Sequence, residues 1–311
     1  MKASVVIPAW GETPYLDEAK DCLAAQTFRD FEVIVTAPPK DEPNAGAARN
    51  EGLALARGEW LFFVDADDLP EADFLEKAVA LGEKTGADVV AFRADEVDDR
   101  LGVRTHMPYL KRMAPWADGR VHSLDELGAA RFTTLGLAPG NKAVRRSIVE
   151  GNGIRFQSIP RSNDVAFTVE MLARARTFAA IDSSLIGYRV NNAKSLQHTN
   201  TETPTCFYEA LLEAKRRLGG DCQEAMRNLA EETIAYHLHS VRTVEAYRML
   251  HDFLAHRTES DFGIRVAQSP LKGRNAFCFK ISRAAETLRE RGLAFCLYRF
   301  LGKMAKSCNG Q

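Results

Sequence analysis

Apolar and polar positions come in blocks along the first hundred residues. Ser4-Val5-Val6-Ile7-Pro8 is a short apolar run that reads as a buried strand. Trp10-Gly11-Glu12-Thr13-Pro14 interrupts it, and Pro14 suits the start of a helix whose Leu16, Ala19, Leu23 and Ala24 share one face. Phe31–Val35 repeats the strand pattern. After a loop rich in Pro and charge, residues 45–57 read as a second helix with Gly58 as its C-terminal cap. Trp60–Val64 is again wholly apolar; a helix over 70–85 and a strand over 88–92 follow. Strands without polar alternation are covered on both faces. The repetition therefore predicts an α/β fold, a doubly wound mixed sheet.

Residues 95–139 are less regular, with Ser123 and Glu126 spaced as a capping box. Ser162-Asn163-Asp164 opens a helix, and 178–190 reads as strand, turn and strand. From Pro204 the pattern is helical, with Phe207, Leu211, Ala214 and Leu218 on one face. The expected division is a catalytic domain over 1–200, with halves of about 1–100 and 101–200, and a helical region over 201–311.

The third apolar run ends in three carboxylates, Asp65, Asp67 and Asp68. Ligands of open α/β sheets bind beyond the carboxyl ends of the strands. Acids gathered there repel one another, and a hard divalent cation or a ribose would relieve the repulsion. Asp68 has a second reading, a capping box with Glu71 for the helix expected from Pro70.

Charge is balanced overall, 41 Lys and Arg against 42 Asp and Glu, which argues against a nucleic-acid partner. It is uneven along the chain: residues 1–199 carry 24 basic and 29 acidic groups, residues 200–311 carry 17 and 13. Within 272–306, nine Lys and Arg face two Glu on an aromatic amphipathic pattern. That stretch suits either an anionic membrane surface or a docked helix with a solvated basic face. The six cysteines have no Cys-x-x-Cys spacing, consistent with reduced thiols. No leader and no span of ~18 apolar residues is recognised, so a cytoplasmic location, peripheral on the inner face of the membrane, is the expectation.

The order of motifs resembles a family 2 glycosyltransferase of the glycosyltransferase-A fold. The matching residues are Val5-Val6-Ile7-Pro8 with Glu12, Ala47 to Gly52, and Val64-Asp65-Ala66-Asp67-Asp68 with Pro70. Asn141-Lys142, Arg146-Ser147, Gly153 to Phe156, Asn163-Asp164 and Tyr188-Arg189 follow in the expected sequence, so the resemblance covers about two hundred residues. It implies transfer from a nucleoside-diphosphate sugar to a glycan or lipid-linked acceptor with inversion. Asp65 would hold the ribose, and Asp67, with Asp65, a Mn or Mg ion. Pro8, Glu12, Arg49 and Ala66 would line the nucleotide pocket, and Asp164 would be the general base. Arg49 also reads as a solvated helix-face arginine, and Asp164 as an acid complementing a helix dipole.

The chain departs from the family pattern in two places. Thr36-Ala37-Pro38-Pro39 stands where many relatives carry an acid after the second strand, with Asp41 as a substitute from the loop, and Asn163 stands where a Glu is usual. Arg145 and Arg146 read either as phosphate contacts or as a solvated face, and His198 as a late phosphate contact or a surface residue. Two other classes stay open: a nucleotidyltransferase, for which no Gly-rich basic loop follows the first strand, and a degenerate sugar-nucleotide-binding scaffold.

Overall fold

The computed structural model describes residues 1–9, 11, 14–99, 101–190, 205–240 and 244–266. By internal packing the chain divides into two units, Met1–Thr233 and Ile234–Gln311. In chain order the first unit holds β1 (Ala3–Pro8), α1 (Leu16–Ala24), β2 (Phe31–Thr36), α2 (Ala45–Leu55), β3 (Trp60–Phe63), β4 (Leu69–Pro70) and α3 (Phe74–Thr85). Then come β5 (Val89–Asp98), β6 (Val103–His106), β7 (His122–Ser123), α4 (Arg131–Leu135), β8 (Lys142–Arg145) and α5 (Arg146–Gly151). The unit continues with α6 (Asn163–Arg174), β9 (Thr177–Arg189) and α7 (Cys206–Leu218). Helix α8 (Gln223–Ser240) carries the chain into the second unit, which also holds α9 (Val244–Ala255) and α10 (Thr258–Phe262).

The strands form one mixed sheet in the order β2-β1-β3-β8-β5-β9-β4, with β6 on β5 and β7 on β9. Strand β1 runs parallel to β2 and β3, whereas β8 is antiparallel to both β3 and β5. This antiparallel insertion brings the first residue of β8, Lys142, to the edge where β3 ends. The first and third apolar runs are buried as expected, with Val5, Val6, Ile7, Trp60, Leu61, Phe62 and Val64 fully enclosed, whereas β2 is an edge strand that leaves Val33 and Val35 exposed. Phe63 packs edge-on against Phe156 and Phe167, which stack on each other at 3.8 Å, so α6 is anchored to the end of β3.

Four boundaries differ from the sequence expectations. The helix expected from Pro70 starts at Phe74, because Leu69-Pro70 pairs with Gly187 and Ile186 of β9 as a short strand. Asp68 therefore makes no capping box. The second helix ends at Leu55, with Ala56 already extended at φ −65° and ψ 131°, so Gly58 is not its cap. A side chain at Gly58 would put its Cβ 2.4 Å from the Ala3 carbonyl carbon, and this close approach explains the glycine. The segment expected as strand, turn and strand is the single strand β9, whose register against β5 shifts around Arg93. Strand β5 also runs on to Asp98 into a stretch expected to be irregular. The capping box of Ser123 and Glu126 is present.

Among the described residues no helix is long and apolar enough to cross a membrane. Cys22, Cys206 and Cys222 are free thiols. The basic stretch 272–306, Glu12, Ser195 and His198 lie outside the described residues.

Candidate active site

Three acids follow β3, and the chain uses them differently. The Val64 N–H still bonds the Val6 carbonyl at 3.0 Å, after which the backbone turns. The Asp68 carboxylate folds back and accepts the Asp65 N–H at 3.0 Å. Asp68 is buried, and burial pushes its carboxyl well above the usual carboxylate range, with repulsion from Asp65 and Asp67 added. Asp65, Ala66 and Asp67 remain partly exposed on the turn. One acid shapes the turn and two are presented.

Helix α2 positions the residue that faces them. Asn44 caps the helix, accepting the Ala47 N–H at 2.9 Å. A Cβ at Gly46 would lie 2.2 Å from the Gln157 carbonyl oxygen, so glycine permits the close approach of the 156–163 segment. Asn50 binds the Phe156 backbone on both sides, donating to its carbonyl at 3.0 Å and accepting its N–H at 2.8 Å. Between these contacts Arg49 is buried, 5.3 Å from the centre of the Phe156 ring. Its Nη2 donates to Asp65 at 2.5 Å and its Nη1 to Asn163 Oδ1 at 2.8 Å. Burial disfavours the guanidinium charge, but Asp65 and Asp164 outweigh it and hold Arg49 above its ordinary value. Arg49 is therefore not a solvated helix-face arginine.

Asp164 is the second residue of α6, after Ser162 in a left-handed conformation at φ 55°. Burial raises its carboxyl above the ordinary value and Asp65 adds to the rise, against the pull of the Arg49 and Lys142 charges. Lys142 is itself buried. Its Nζ donates to the Ala138 carbonyl at 2.8 Å and to Asn141 Oδ1 at 2.7 Å. Bonded to these neutral acceptors, the ammonium is pushed down by burial to about 7, opposed by Asp164.

The expected site residues thus fall into groups. Arg49, Asp65, Ala66, Asp67 and Asp164 gather around the end of β3. Pro8 ends the neighbouring β1 and is buried. Thr36 contributes structure: it is buried and its hydroxyl donates to the Ala48 carbonyl at 2.7 Å, tying β2 to α2. Asp41 is exposed in its loop. Arg145 pairs with Glu83 at 3.0 Å and lies 4.1 Å over Trp60, while Arg146 donates to the Gly58 carbonyl and pairs with Glu150. These partners occupy the opposite ends of β3 and β8, so neither arginine is in reach of the acidic turn. Sequence reasoning assigned no role to Lys142, Asn163 or Arg189. A lysine inside the otherwise apolar Lys142-Ala143-Val144 was the available signal.

A divalent ion has donors of suitable chemistry here. Asp65 and Asp67 offer hard carboxylate oxygens on a partly exposed turn. Among the described residues no three His, Cys, Asp or Glu side chains are arranged to hold an ion by themselves. A cation would have to complete its shell with ligand oxygens and water.

Residues 39–152 match the family model Glycosyl transferase family 2. The chain is 26% identical over 256 residues to the poly(ribitol-phosphate) beta-N-acetylglucosaminyltransferase TarS of Staphylococcus aureus, covering 73% of this chain and 42% of that one. It thus spans less than half the length of this curated relative. The crystal structure of S. aureus TarS in complex with UDP-GlcNAc is similar with a TM-score of 0.61 and 18% identity, covering 84% of this chain and 82% of that one. The mannosyltransferase PcManGT of Pyrobaculum calidifontis, in complex with GDP-Man and Mn2+, gives a TM-score of 0.51 at 16% identity, covering 95% and 83%. The segment 39–152 is thus similar to family 2 glycosyltransferases, and the fold is that of the glycosyltransferase-A structures.

Proposed function

We propose that this chain is an inverting glycosyltransferase that moves a sugar from a nucleoside-diphosphate sugar to a glycan or lipid-linked acceptor in cell-surface polysaccharide synthesis. The observation that carries the reading is the buried Arg49, bonded at once to Asp65 on the acidic turn and to Asn163, the neighbour of Asp164. One side chain thereby ties the donor carboxylates to the candidate base. The family match and the acceptor named for TarS support the same reading.

In this scheme Asp65 accepts from the ribose, and Pro8 and Ala66 line the nucleotide. Asp164 takes the acceptor hydroxyl proton while that oxygen attacks the anomeric carbon from the face opposite the leaving group. The anomeric carbon–oxygen bond breaks, and the diphosphate departs with the electron pair. Arg49 keeps Asp164 and Asp65 in fixed relation, so the attacking oxygen is aligned without a search. A Mn or Mg ion on Asp67, with Asp65, would supply charge to offset the diphosphate as it leaves. The basic stretch 272–306 would add contact with an anionic membrane surface, a reading that rests on its sequence alone.

The test is a thermal-shift panel of nucleoside diphosphates and their sugars, each with and without Mn2+. Ligand at a hundredfold its dissociation constant stabilises by ~2.7 kcal/mol, readily visible as a melting shift. A shift with one base and its sugars supports the reading. A flat panel contradicts it. Release of diphosphate from the bound donor separates an enzyme from a binding scaffold.

A further inference from the structure

Arg189 is the last residue of β9 and is buried, at 7% exposure. It does not lie on the acidic turn, yet it reaches it. Its Nε donates to the Asp67 carbonyl at 3.3 Å. Its Nη2 donates to Glu18 of α1 at 2.7 Å, and its Nη1 pairs with Asp99, which follows β5. The face of the guanidinium lies 4.2 Å from the centre of the Tyr15 ring, just before α1. Four segments therefore meet on one side chain: the turn after β3, the start of α1, the end of β5 and β9 itself.

The backbone around this point explains why the turn needs the contact. Val64 is bonded to Val6 at one end of the turn, and Leu69 pairs with Gly187 of β9 at the other. Between them Asp65 and Asp68 bond each other, which leaves Asp67 at the far side from that internal link. The Arg189 Nε bond falls on the Asp67 carbonyl. Glu18 and Asp99 balance the Arg189 charge, and its bond to Asp67 is made to the backbone carbonyl. A divergent fork with a stacked face is something lysine cannot reproduce.

We infer that Arg189 is a positioning residue for the acidic turn, fixing the Asp67 backbone so that its carboxylate is presented to the donor diphosphate and its cation. This rests on the reading of Asp67 as a donor-side ligand. Groups that orient metal-binding side chains without touching the metal cost about 10–100-fold in metal affinity when removed. Arginine at this position thus sets the cation requirement of donor binding, through the backbone.

The experiment titrates Mn2+ against the full chain in the presence of UDP or of GDP, reading the melting temperature, for wild type, Arg189→Lys, Glu18→Gln and Asp67→Asn. The expected result is an Mn2+ midpoint about 10–100-fold higher in Arg189→Lys and a smaller rise in Glu18→Gln, which loosens one arm only. A purely structural arginine would instead lower the ligand-free melting temperature and leave the midpoint where it was, and that outcome overturns the inference. Should Arg189→Lys fail to fold, Glu18→Gln decides, and a wild-type midpoint there overturns the inference as well. Asp67→Asn separates the two levels of the argument. If it abolishes the nucleotide shift while Arg189→Lys keeps a wild-type midpoint, the positioning role alone fails. If Asp67→Asn keeps the full shift, or neither nucleotide shifts the wild type, the reading of the site fails and the inference falls with it.

Discussion

Arg49 Nη1 donates to Asn163 Oδ1 at 2.8 Å, joining the middle of α2 to the first residue of α6. The next residue is Asp164, and the other end of the same guanidinium holds Asp65 at 2.5 Å. One buried cation thereby bonds Asp65 and the residue next to Asp164, and feels the charge of both acids. Asn163 suits this role because an amide accepts the bond without adding a further charge to a crowded acidic site.

Lys142 gives a pH signature to the fold. Its native value, about 7, lies below the ordinary lysine value of 10.5, so between those limits the unfolded chain binds more protons than the folded one. Stability contributed by this residue therefore rises as pH increases from about 7 toward 10, at about 1.4 kcal/mol per unit of pKa difference. Lys142→Met removes this dependence. The stability of Lys142→Met relative to wild type should grow as pH falls from about 10 toward 7, where the buried charge costs the wild type most. A pH-independent difference would show that Lys142 finds a charged partner in solution.

Asp67→Asn should leave the melting temperature of the free protein unchanged, since its side chain is partly exposed on the turn. Mn2+-dependent stabilisation by a nucleoside diphosphate should disappear, because an amide keeps the shape and loses the charge a divalent ion needs. Equal Mn2+-dependent shifts in mutant and wild type would remove Asp67 from the metal site.

The architecture was largely legible in the sequence because short apolar blocks bounded by turn residues and alternating with helical patterns fit the strands of a covered sheet. The boundaries were not. Pro70 promised a helix start, but pairing of Leu69-Pro70 with β9 is a contact across more than a hundred residues, invisible to local pattern. Asp65, Asp67 and Asp164 were legible as acids at element ends, where carboxylates lack a bland apolar explanation. Lys142 and Arg189 were named in the family resemblance without a role, since what each does depends on acceptors from distant segments. Arg145 and Arg146 show the converse, an adjacent basic pair consumed by Glu83, Gly58 and Glu150.

The basic stretch 272–306 should bring the 1–311 chain down with anionic liposomes at low salt, and binding should weaken steeply as salt rises. Attraction on the order of 1 kcal/mol per basic residue near the surface sets the scale. Removing residues 272–311 should abolish sedimentation and leave nucleotide shifts in place. A 1–311 chain that ignores anionic vesicles at low salt would leave the basic residues as a solvated face.

In the proposed reaction Asp164 takes the acceptor proton at the central chemical step. Asp164→Asn is nearly isosteric and retains a polar group at the start of α6, so the helix should lose only about 0.3–1 kcal/mol. Donor binding should persist because Asp65 and Asp67 are untouched. The direct measurement is nucleoside-diphosphate release during transfer to acceptor, recorded beside donor affinity and melting temperature for wild type and Asp164→Asn. The account predicts near-native affinity and stability with turnover reduced by about 10²–10⁴-fold. Wild-type turnover in a stable Asp164→Asn protein would contradict it.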